Sequence, residues 1–201
     1  MLQNIKVCLL AIFLILSPAT MFASEKVTVI LVGDTAVGKS SILHRYVHGE
    51  FPDSIFPTVS VDLKSIPDAV MNGYLLDVSG YQRFRHIISC YLPMADGYGL
   101  VYDVTDEKSF NDIAWWYKRI KLIGKKDAPL ILIANKTDQK TRSISTQQGQ
   151  KLATHLDIPY MEVSAYSGLN VRKSLSGLLK KAKSFSVATI SKKQHPDSDL
   201  E

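Results

Sequence analysis

The chain has 201 residues, of which 46% are hydrophobic and 21% are charged, and its formal net charge is +5. This length suits one domain of ordinary size with a few residues left for tails, and 11 glycines and 8 prolines exclude a collagen-like or low-complexity chain. The basic residues form no arginine-rich arm and the two cysteines have no metal-ligand spacing, so we expect no nucleic-acid partner and no disulfide framework.

Residues 1–23 have the order of a secretory signal peptide. Lys6 precedes ten apolar residues at positions 7–16, and small residues follow as far as Ala23. The apolar block is short for a membrane span, yet a retained anchor over residues 7–23 is an alternative. A mis-assigned start is a third, since Met21 stands just before the first predicted strand. The sequence leaves these three interpretations open.

Short apolar runs alternate with helical patterns from Lys26 onward. Residues 26–32 form a nearly continuous apolar run typical of a buried parallel strand, and residues after Gly33 switch to helical spacing. Further strands are predicted at 97–104, 129–135 and 158–165, and further helices at 106–124, 145–156 and 168–185. Such alternation predicts an α/β fold whose parallel sheet is covered by helices on both faces, with ligands at the carboxyl ends of the strands.

Residues 59–78 break this alternation. Two strand-like pieces flank a Pro/Asp/Asn/Gly segment that has no room for a helix, which predicts an antiparallel hairpin at the edge of the sheet. We therefore expect one domain over residues 24–186. Residues 187–201 are polar and are predicted to be a flexible tail.

The sequence GDTAVGKS, from Gly33 to Ser40, fits the phosphate-loop pattern GxxxxGK[ST] between a strand and a helix. Glycines let backbone N–H groups surround phosphate oxygens, Lys39 neutralises the β- and γ-phosphates, and Ser40 ligates Mg²⁺. A glycine turn without a ligand is the alternative, and the strand and helix on either side argue against it. The nucleotide-binding residues predicted here are Asp34, Thr35, Ala36, Val37, Gly38, Lys39, Ser40 and Ser41.

The next two strand ends carry a candidate base-recognition site. NKTD, from Asn135 to Asp138, offers a carboxylate that can accept two hydrogen bonds from guanine, whereas adenine has no matching pair of donors. An ATP-using enzyme is the disfavoured alternative. SAYSG follows the next strand, where the amides of Ala165 and Tyr166 can hold the base carbonyl, although an ordinary strand-to-helix turn explains it too. The predicted base-site residues are Asn135, Lys136, Asp138, Ser164, Ala165 and Tyr166.

Three residues after the phosphate loop, Thr58, Asp77 and Gly80, are predicted to contact the terminal phosphate or the metal beside it. Thr58 can complete a Mg²⁺ shell with Ser40, so that its loop is ordered with GTP, and Asp77 can hold the metal through water. Gly80 has no side chain, which lets its amide approach the γ-phosphate. The predicted metal residues are thus Ser40, Thr58 and Asp77.

With these motifs in this order, the chain from about Lys26 to Phe185 resembles a Ras-superfamily small GTPase of the Rab type. The resemblance implies a P-loop GTPase fold with a six-stranded, mostly parallel sheet, GTP or GDP as ligand and Mg²⁺ as cofactor. It also implies GTP hydrolysis, a role in vesicle trafficking or signalling, and an exchange factor, an activating protein and effectors at the switch loops. Phe51 matches the aromatic that stacks on the base, although a buried aromatic at a helix end is the alternative.

The chain departs from the Rab pattern after DxxG, where Tyr81 replaces the usual water-orienting Gln. A phenol cannot accept from water and donate to the γ-phosphate as an amide does, so we expect slow hydrolysis by a catalytic set of Lys39, Thr58, Gly80 and Tyr81. Gln82 would substitute only in a slipped loop, and an activating protein can supply the missing group. A hydrolysis-deficient module that sequesters trafficking factors is the second hypothesis.

Other departures concern partners and membranes. Leu63 and Leu76 replace aromatics through which Rabs contact effectors, and Tyr166 replaces a Lys beside the base. No cysteine follows Cys90, so we expect no C-terminal prenyl group. The basic C-terminal helix around Lys180, or a retained N-terminal segment, can contact a membrane, although a solvated helix face also explains the lysines. A GTPase needs a cytosol, whereas the signal-like segment suggests secretion or a wrong start.

Overall fold

The computed structural model describes residues 26–59, 61–66 and 72–194. The predictions for residues 1–23 and for the last seven residues of the tail lie outside this part of the chain. Within it, no helix is both long and apolar enough to cross a membrane.

The sheet has six strands in the spatial order β2-β3-β1-β4-β5-β6. The strands are β1 Val27–Val32, β2 Val61–Ile66, β3 Gly73–Val78, β4 Gly97–Asp103, β5 Leu130–Asn135 and β6 Tyr160–Glu162. All neighbouring pairs are parallel except β2 and β3, whose antiparallel register places Val61 opposite Val78 and Ile66 opposite Gly73. The predicted sheet and its antiparallel edge strand are therefore confirmed.

Helices cover both faces of the sheet. They are α1 Lys39–His48, α2 Arg85–Ser89, α3 Glu107–Asn111, α4 Ile113–Ile123, α5 Thr146–Leu156 and α6 Val171–Gln194. One core packs α1 and α6 on the sheet through residues such as Ile42 and Leu175, and the other packs α4 around the fully buried Trp116. Because both faces are buried, the central strands β1, β4 and β5 are almost wholly apolar.

Two predicted helix boundaries differ from the structure. The last helix continues to Gln194, well past the predicted domain end at residue 186, because no glycine or proline interrupts residues 178–194 and Phe185 packs half-buried against the core. The helix predicted at 106–124 is broken at Asp112, whose carboxylate accepts hydrogen bonds from Arg85 and Lys108. Short helical turns at Gln82–Phe84 and Leu92–Met94 were not predicted.

The sheet gathers the predicted motifs at one edge. The phosphate loop follows β1, Gly80 follows β3, NKTD begins at the end of β5, and SAYSG follows β6. The parallel register of these strands places their carboxyl ends side by side, so the loops that follow them converge.

Candidate nucleotide-binding site

The phosphate loop folds through backbone conformations that only certain residues adopt easily. Gly38 has φ of 91°, and a Cβ built there would lie 2.3 Å from Asn135 Nδ2. Ala36 also has positive φ, at 60°, so the loop holds a left-handed turn just before α1 begins at Lys39. A curled backbone that ends at a helix N-terminus is the arrangement that presents N–H groups to an anion.

Lys39 is folded back over the loop. Its Nζ donates to the carbonyl oxygens of Gly33 at 3.1 Å and Asp34 at 2.7 Å, and the residue is only 5% exposed. Burial lowers the pKa of the Lys39 ammonium to about 8, although the carboxylates of Asp77 and Asp34 act in the opposite direction. A buried cation with carbonyl partners alone is well suited to gain an anionic ligand.

The three predicted metal residues lie in one hydrogen-bonded chain. Ser40 Oγ and Thr58 Oγ1 are 2.8 Å apart, and Thr58 Oγ1 donates to Asp77 Oδ2 at 3.2 Å. Burial raises the pKa of the Asp77 carboxyl, and its Oδ1 is buried without a hydrogen-bond partner among the described residues. Two hydroxyls beside an unsatisfied buried carboxylate oxygen fit a hard cation such as Mg²⁺.

Gly80 lies directly against the phosphate loop. A Cβ at this position would come within 2.3 Å of the backbone of Asp34 and Thr35, so the close approach requires glycine. Tyr81 turns elsewhere, since its ring packs edge-on against Phe84 at 6.3 Å between centroids and the Arg83 guanidinium lies 5.3 Å above it. These aromatic and cation contacts hold the phenol beside the helical turn that begins at Gln82.

Asn135 ties the base end of the site to the phosphate loop. Its Nδ2 donates to the Val37 carbonyl at 2.8 Å, and its Oδ1 accepts from the Ala165 N–H at 3.1 Å. Asp138 Oδ1 accepts from Ser164 Oγ at 2.6 Å, while Lys136 forms an ion pair with Asp103 at 2.6 Å. The Ala165 amide, predicted to hold the base carbonyl, is thus already bonded to Asn135.

Phe51 and Tyr166 face each other across the rim of the site. Their rings meet edge to face, 5.4 Å between centroids, and Tyr166 is 65% exposed. Arg45 fixes the loop beneath them, because its Nε donates to the Ala165 carbonyl at 2.9 Å and its NH2 to the Tyr166 carbonyl. Since the two rings contact each other, they form one continuous aromatic edge of the site, against which a planar base can pack.

These elements enclose a cavity of about 430 Å³, within the range of small-molecule sites. Most predicted residues line it: Thr35, Ala36, Gly38, Lys39, Ser40, Ser41, Phe51, Thr58, Gly80, Asn135, Lys136, Asp138, Ala165 and Tyr166. Five do not reach its wall, namely Asp34, Val37, Asp77, Tyr81 and Ser164. Tyr81 directly follows Gly80, which lines the cavity, and each of the other four is hydrogen-bonded to a residue that lines it.

Sequence reasoning missed several residues of this region. Ile55, Phe56 and Pro57 line the cavity from the segment before Thr58, and Phe56 is 79% exposed. The run FPT was visible, but nothing in it indicated which side chains fold over the site. Arg45 was missed because its carbonyl partners lie 120 and 121 positions away.

Comparison with known proteins agrees with these observations. Residues 28–184 match the Ras family. The chain is 40% identical over 157 residues to the Ras-related protein SEC4 of Saccharomyces cerevisiae, which covers 76% of this chain and 73% of that protein. It is 34% identical to the GTP-binding protein ypt2 of Schizosaccharomyces pombe, covering 87% and 86% of the two chains. It is 35% identical to the Ras-related protein Rab-8B of Dictyostelium discoideum, covering 84% and 86%.

Proposed function

Because the chain belongs to the Ras family of small GTPases, with Rab-like relatives, we propose that it is a GTP/GDP-binding switch in vesicle trafficking that hydrolyses GTP slowly. The observation that carries this proposal is the single cavity that joins the phosphate loop, Thr58 and Asp138. If residues 33–40 were only a glycine turn without a ligand, there would be no reason for all three loops to line the same cavity.

The chain's own residues supply binding and orientation. Lys39 neutralises phosphate charge, the amides of the phosphate loop cradle the phosphate oxygens, and Asp138 accepts hydrogen bonds from guanine. The Asp138 carboxylate is held by Ser164 Oγ, so its direction is set before the base arrives. This prior orientation favours guanine over adenine, which offers no matching donors.

Ser40, Thr58 and Asp77 would hold Mg²⁺, which when bound neutralises charge that develops on the phosphates. The unsatisfied Asp77 Oδ1 supports this assignment, because a buried carboxylate oxygen without a donor is costly unless a cation satisfies it. The Thr58 hydroxyl is bonded to both other metal residues, so any movement of the Thr58 loop would break its hydrogen bonds to Ser40 and Asp77. The position of this loop should therefore depend on which nucleotide is bound.

Slow hydrolysis follows from the contacts of Tyr81. Its ring rests against Phe84 under the Arg83 guanidinium, and a phenol cannot both accept from the attacking water and donate to the γ-phosphate. Gln82 lies in the next helical turn, on a register fixed by the close contact of Gly80 with the phosphate loop. An activating protein would then be required for rapid turnover.

Exchange factors, activators and effectors are proposed to act at the switch loops around Thr58 and Gly80. Leu63 is 55% exposed on the edge strand β2, whereas Leu76 is buried, so only the former is available to an effector. We also propose that the domain works in a cytosol, where GTP is plentiful, with membrane contact through the basic face of α6. The Rab-like relatives favour this switch over a sequestering module without hydrolysis.

Equilibrium binding of fluorescent guanine and adenine nucleotides tests the proposal. The wild type should bind GDP and GTP at least 100-fold more tightly than ADP and ATP, and Asp138→Ala should remove most of this preference. Asp62→Ala, which alters an exposed aspartate on β2, is the matched control. Equal affinity for adenine nucleotides, or an unchanged preference in Asp138→Ala, would contradict the proposed function.

A further inference from the structure

The phosphate loop contains a buried carboxylate. Asp34 is 4% exposed, and its side chain turns away from the nucleotide cavity while its carbonyl oxygen accepts from Lys39. The side chain borders a second cavity of about 420 Å³, which shares Thr35 and Gly80 with the first. The charge therefore lies beside the residues proposed to contact the terminal phosphate, in a loop that must bind a polyanion.

Two cations compensate this carboxylate. Lys108 Nζ donates to Asp34 Oδ2, and Arg85 NH2 lies 3.8 Å from Asp34 Oδ1. Asp112 joins both cations, accepting from Arg85 at 2.6 Å and from Lys108 at 3.2 Å. The four charges balance, so the cluster as a whole adds no net charge to the neighbourhood of the phosphates.

The two cations are held in unequal ways. Arg85 is fixed by α4, since its guanidinium stacks 4.4 Å above the Trp115 ring and 5.4 Å from the Trp116 ring. Lys108 comes from α3, its side chain is 59% exposed, and hydrogen bonds to Asp34 and Asp112 raise the pKa of its ammonium. Lys108 makes the closer contact with Asp34, and its removal would leave the phosphate-loop carboxylate only the longer contact with Arg85.

An uncompensated carboxylate here would repel nucleotides in proportion to their phosphate charge. GTP carries one more phosphate than GDP, and that phosphate would occupy the Gly80 side of the site, where Asp34 lies. Loss of the cation that neutralises Asp34 should therefore weaken the binding of GTP more than the binding of GDP. The base and the first two phosphates, bound further along the cavity, should be less affected.

We infer that Lys108 is a specificity-determining residue, which neutralises Asp34 so that the phosphate loop accepts the γ-phosphate. This inference rests on the proposed function, because it concerns the balance between GTP and GDP at the same site. Lys108 acts through Asp34 and is a positioning and charge-balancing residue. It lies 74 positions from its partner, on the helix that follows β4.

The test compares the affinities of a non-hydrolysable GTP analogue and of GDP in four variants. Lys108→Met should weaken the analogue about tenfold more than GDP. The double variant Asp34→Asn/Lys108→Met should bring the GTP/GDP ratio back to within about threefold of the wild type, because the charge that needed compensation is gone. Lys108→Arg, which keeps the charge, and Lys118→Met, at an exposed lysine on α4, should leave the ratio unchanged.

Ionic strength supplies a second measurement, since the defect of Lys108→Met should shrink as salt rises. The inference would be overturned if Lys108→Met had the wild-type ratio of GTP-analogue to GDP affinity. It would also be overturned if the double variant kept the full loss of GTP-analogue affinity, because Lys108 would then act on the nucleotide directly or on folding. If the wild type binds neither nucleotide, the proposed function fails together with the inference. If the wild type binds both nucleotides tightly and Lys108→Met leaves the GTP/GDP affinity ratio unchanged, the inference alone is overturned and the proposed function stands.

Discussion

The Asn135 carboxamide donates a hydrogen bond to the Val37 carbonyl oxygen at 2.8 Å, which fastens the end of β5 to the phosphate loop. The same side chain accepts from the Ala165 amide at 3.1 Å and is 1% exposed. One amide thus connects three loops that arise from β1, β5 and β6. These bonds link the phosphate loop to the loop proposed to bind the base, and we expect the spacing of the two ends of the site to depend on them.

Replacing Asn135 by Ala should lower the free energy of unfolding of the nucleotide-free protein by about 2–4 kcal/mol, because it leaves a buried amide and a buried carbonyl unpaired. Urea unfolding measures this change. Asn111→Ala, at an exposed position at the end of α3, is the control and should have little effect. If stability is unchanged while nucleotide affinity falls, Asn135 serves the ligand directly and the cross-linking role is wrong.

Nucleotide binding should take up a proton at mildly alkaline pH. The Lys39 pKa is about 8 in the free protein, and phosphate oxygens would raise it, so the complex holds the proton that the free protein loses as pH rises. Affinity should fall by up to about tenfold per pH unit above pH 8. Calorimetry in two buffers of different ionisation enthalpy at pH 8 should detect about half a proton per nucleotide.

Lys39→Arg is the control for this measurement, because a guanidinium stays protonated throughout the range. The substitution should remove the proton uptake if the variant still binds nucleotide. Wild-type binding without proton uptake at pH 8 would mean that the Lys39 ammonium is already fully charged in the free protein, and the electrostatic description of this residue would be wrong.

Two helical glycines provide a matched pair for the packing of α5. A Cβ at Gly149 would lie 2.5 Å from Tyr102 Oη and 2.6 Å from Tyr160 Oη, whereas a Cβ at Gly177 would meet nothing within 4 Å. Gly177→Ala should stabilise the protein by about 0.5–1 kcal/mol through helix propensity. Gly149→Ala should destabilise it by about 1–2 kcal/mol, because overpacking exceeds the same gain in propensity.

Denaturant unfolding of both glycine variants, each saturated with the same nucleotide, gives the comparison. Relative to the wild type, Gly177→Ala should raise the free energy of unfolding and Gly149→Ala should lower it. Stabilisation by both substitutions would show that the two tyrosine hydroxyls move aside at little cost, so that the contact of α5 with Tyr102 on β4 and Tyr160 on β6 is looser than the structure indicates.

The sequence allowed the fold and most cavity residues to be predicted because their signals are local. GDTAVGKS and NKTD are short runs at strand ends, and the alternation of short apolar runs with helical patterns around them predicts the parallel sheet. The contacts of Arg45 and Lys108 could not be predicted in this way. Each joins segments more than 70 positions apart, and a single lysine or arginine on a helix gives no sign of which distant carbonyl or carboxylate it meets.

Two helix boundaries were predicted wrongly for a related reason. The break at Asp112 is accompanied by a hydrogen bond from Arg85, 27 positions earlier in the chain, and α6 continues past residue 186 where Phe185 packs against the core. Neither effect is visible in propensity alone, since tertiary contacts override it.

Single-turnover hydrolysis of GTP by the wild type, Tyr81→Gln and Gln82→Ala tests the central claim most directly, namely a guanine-nucleotide switch whose Tyr81 limits hydrolysis. Tyr81→Gln should raise the rate about tenfold or more, equivalent to about 1.4 kcal/mol of the barrier, because it restores a water-orienting amide. Gln82→Ala should change the wild-type rate less than about threefold. A wild-type rate that Tyr81→Gln leaves unchanged, or one that Gln82→Ala abolishes, would contradict the claim.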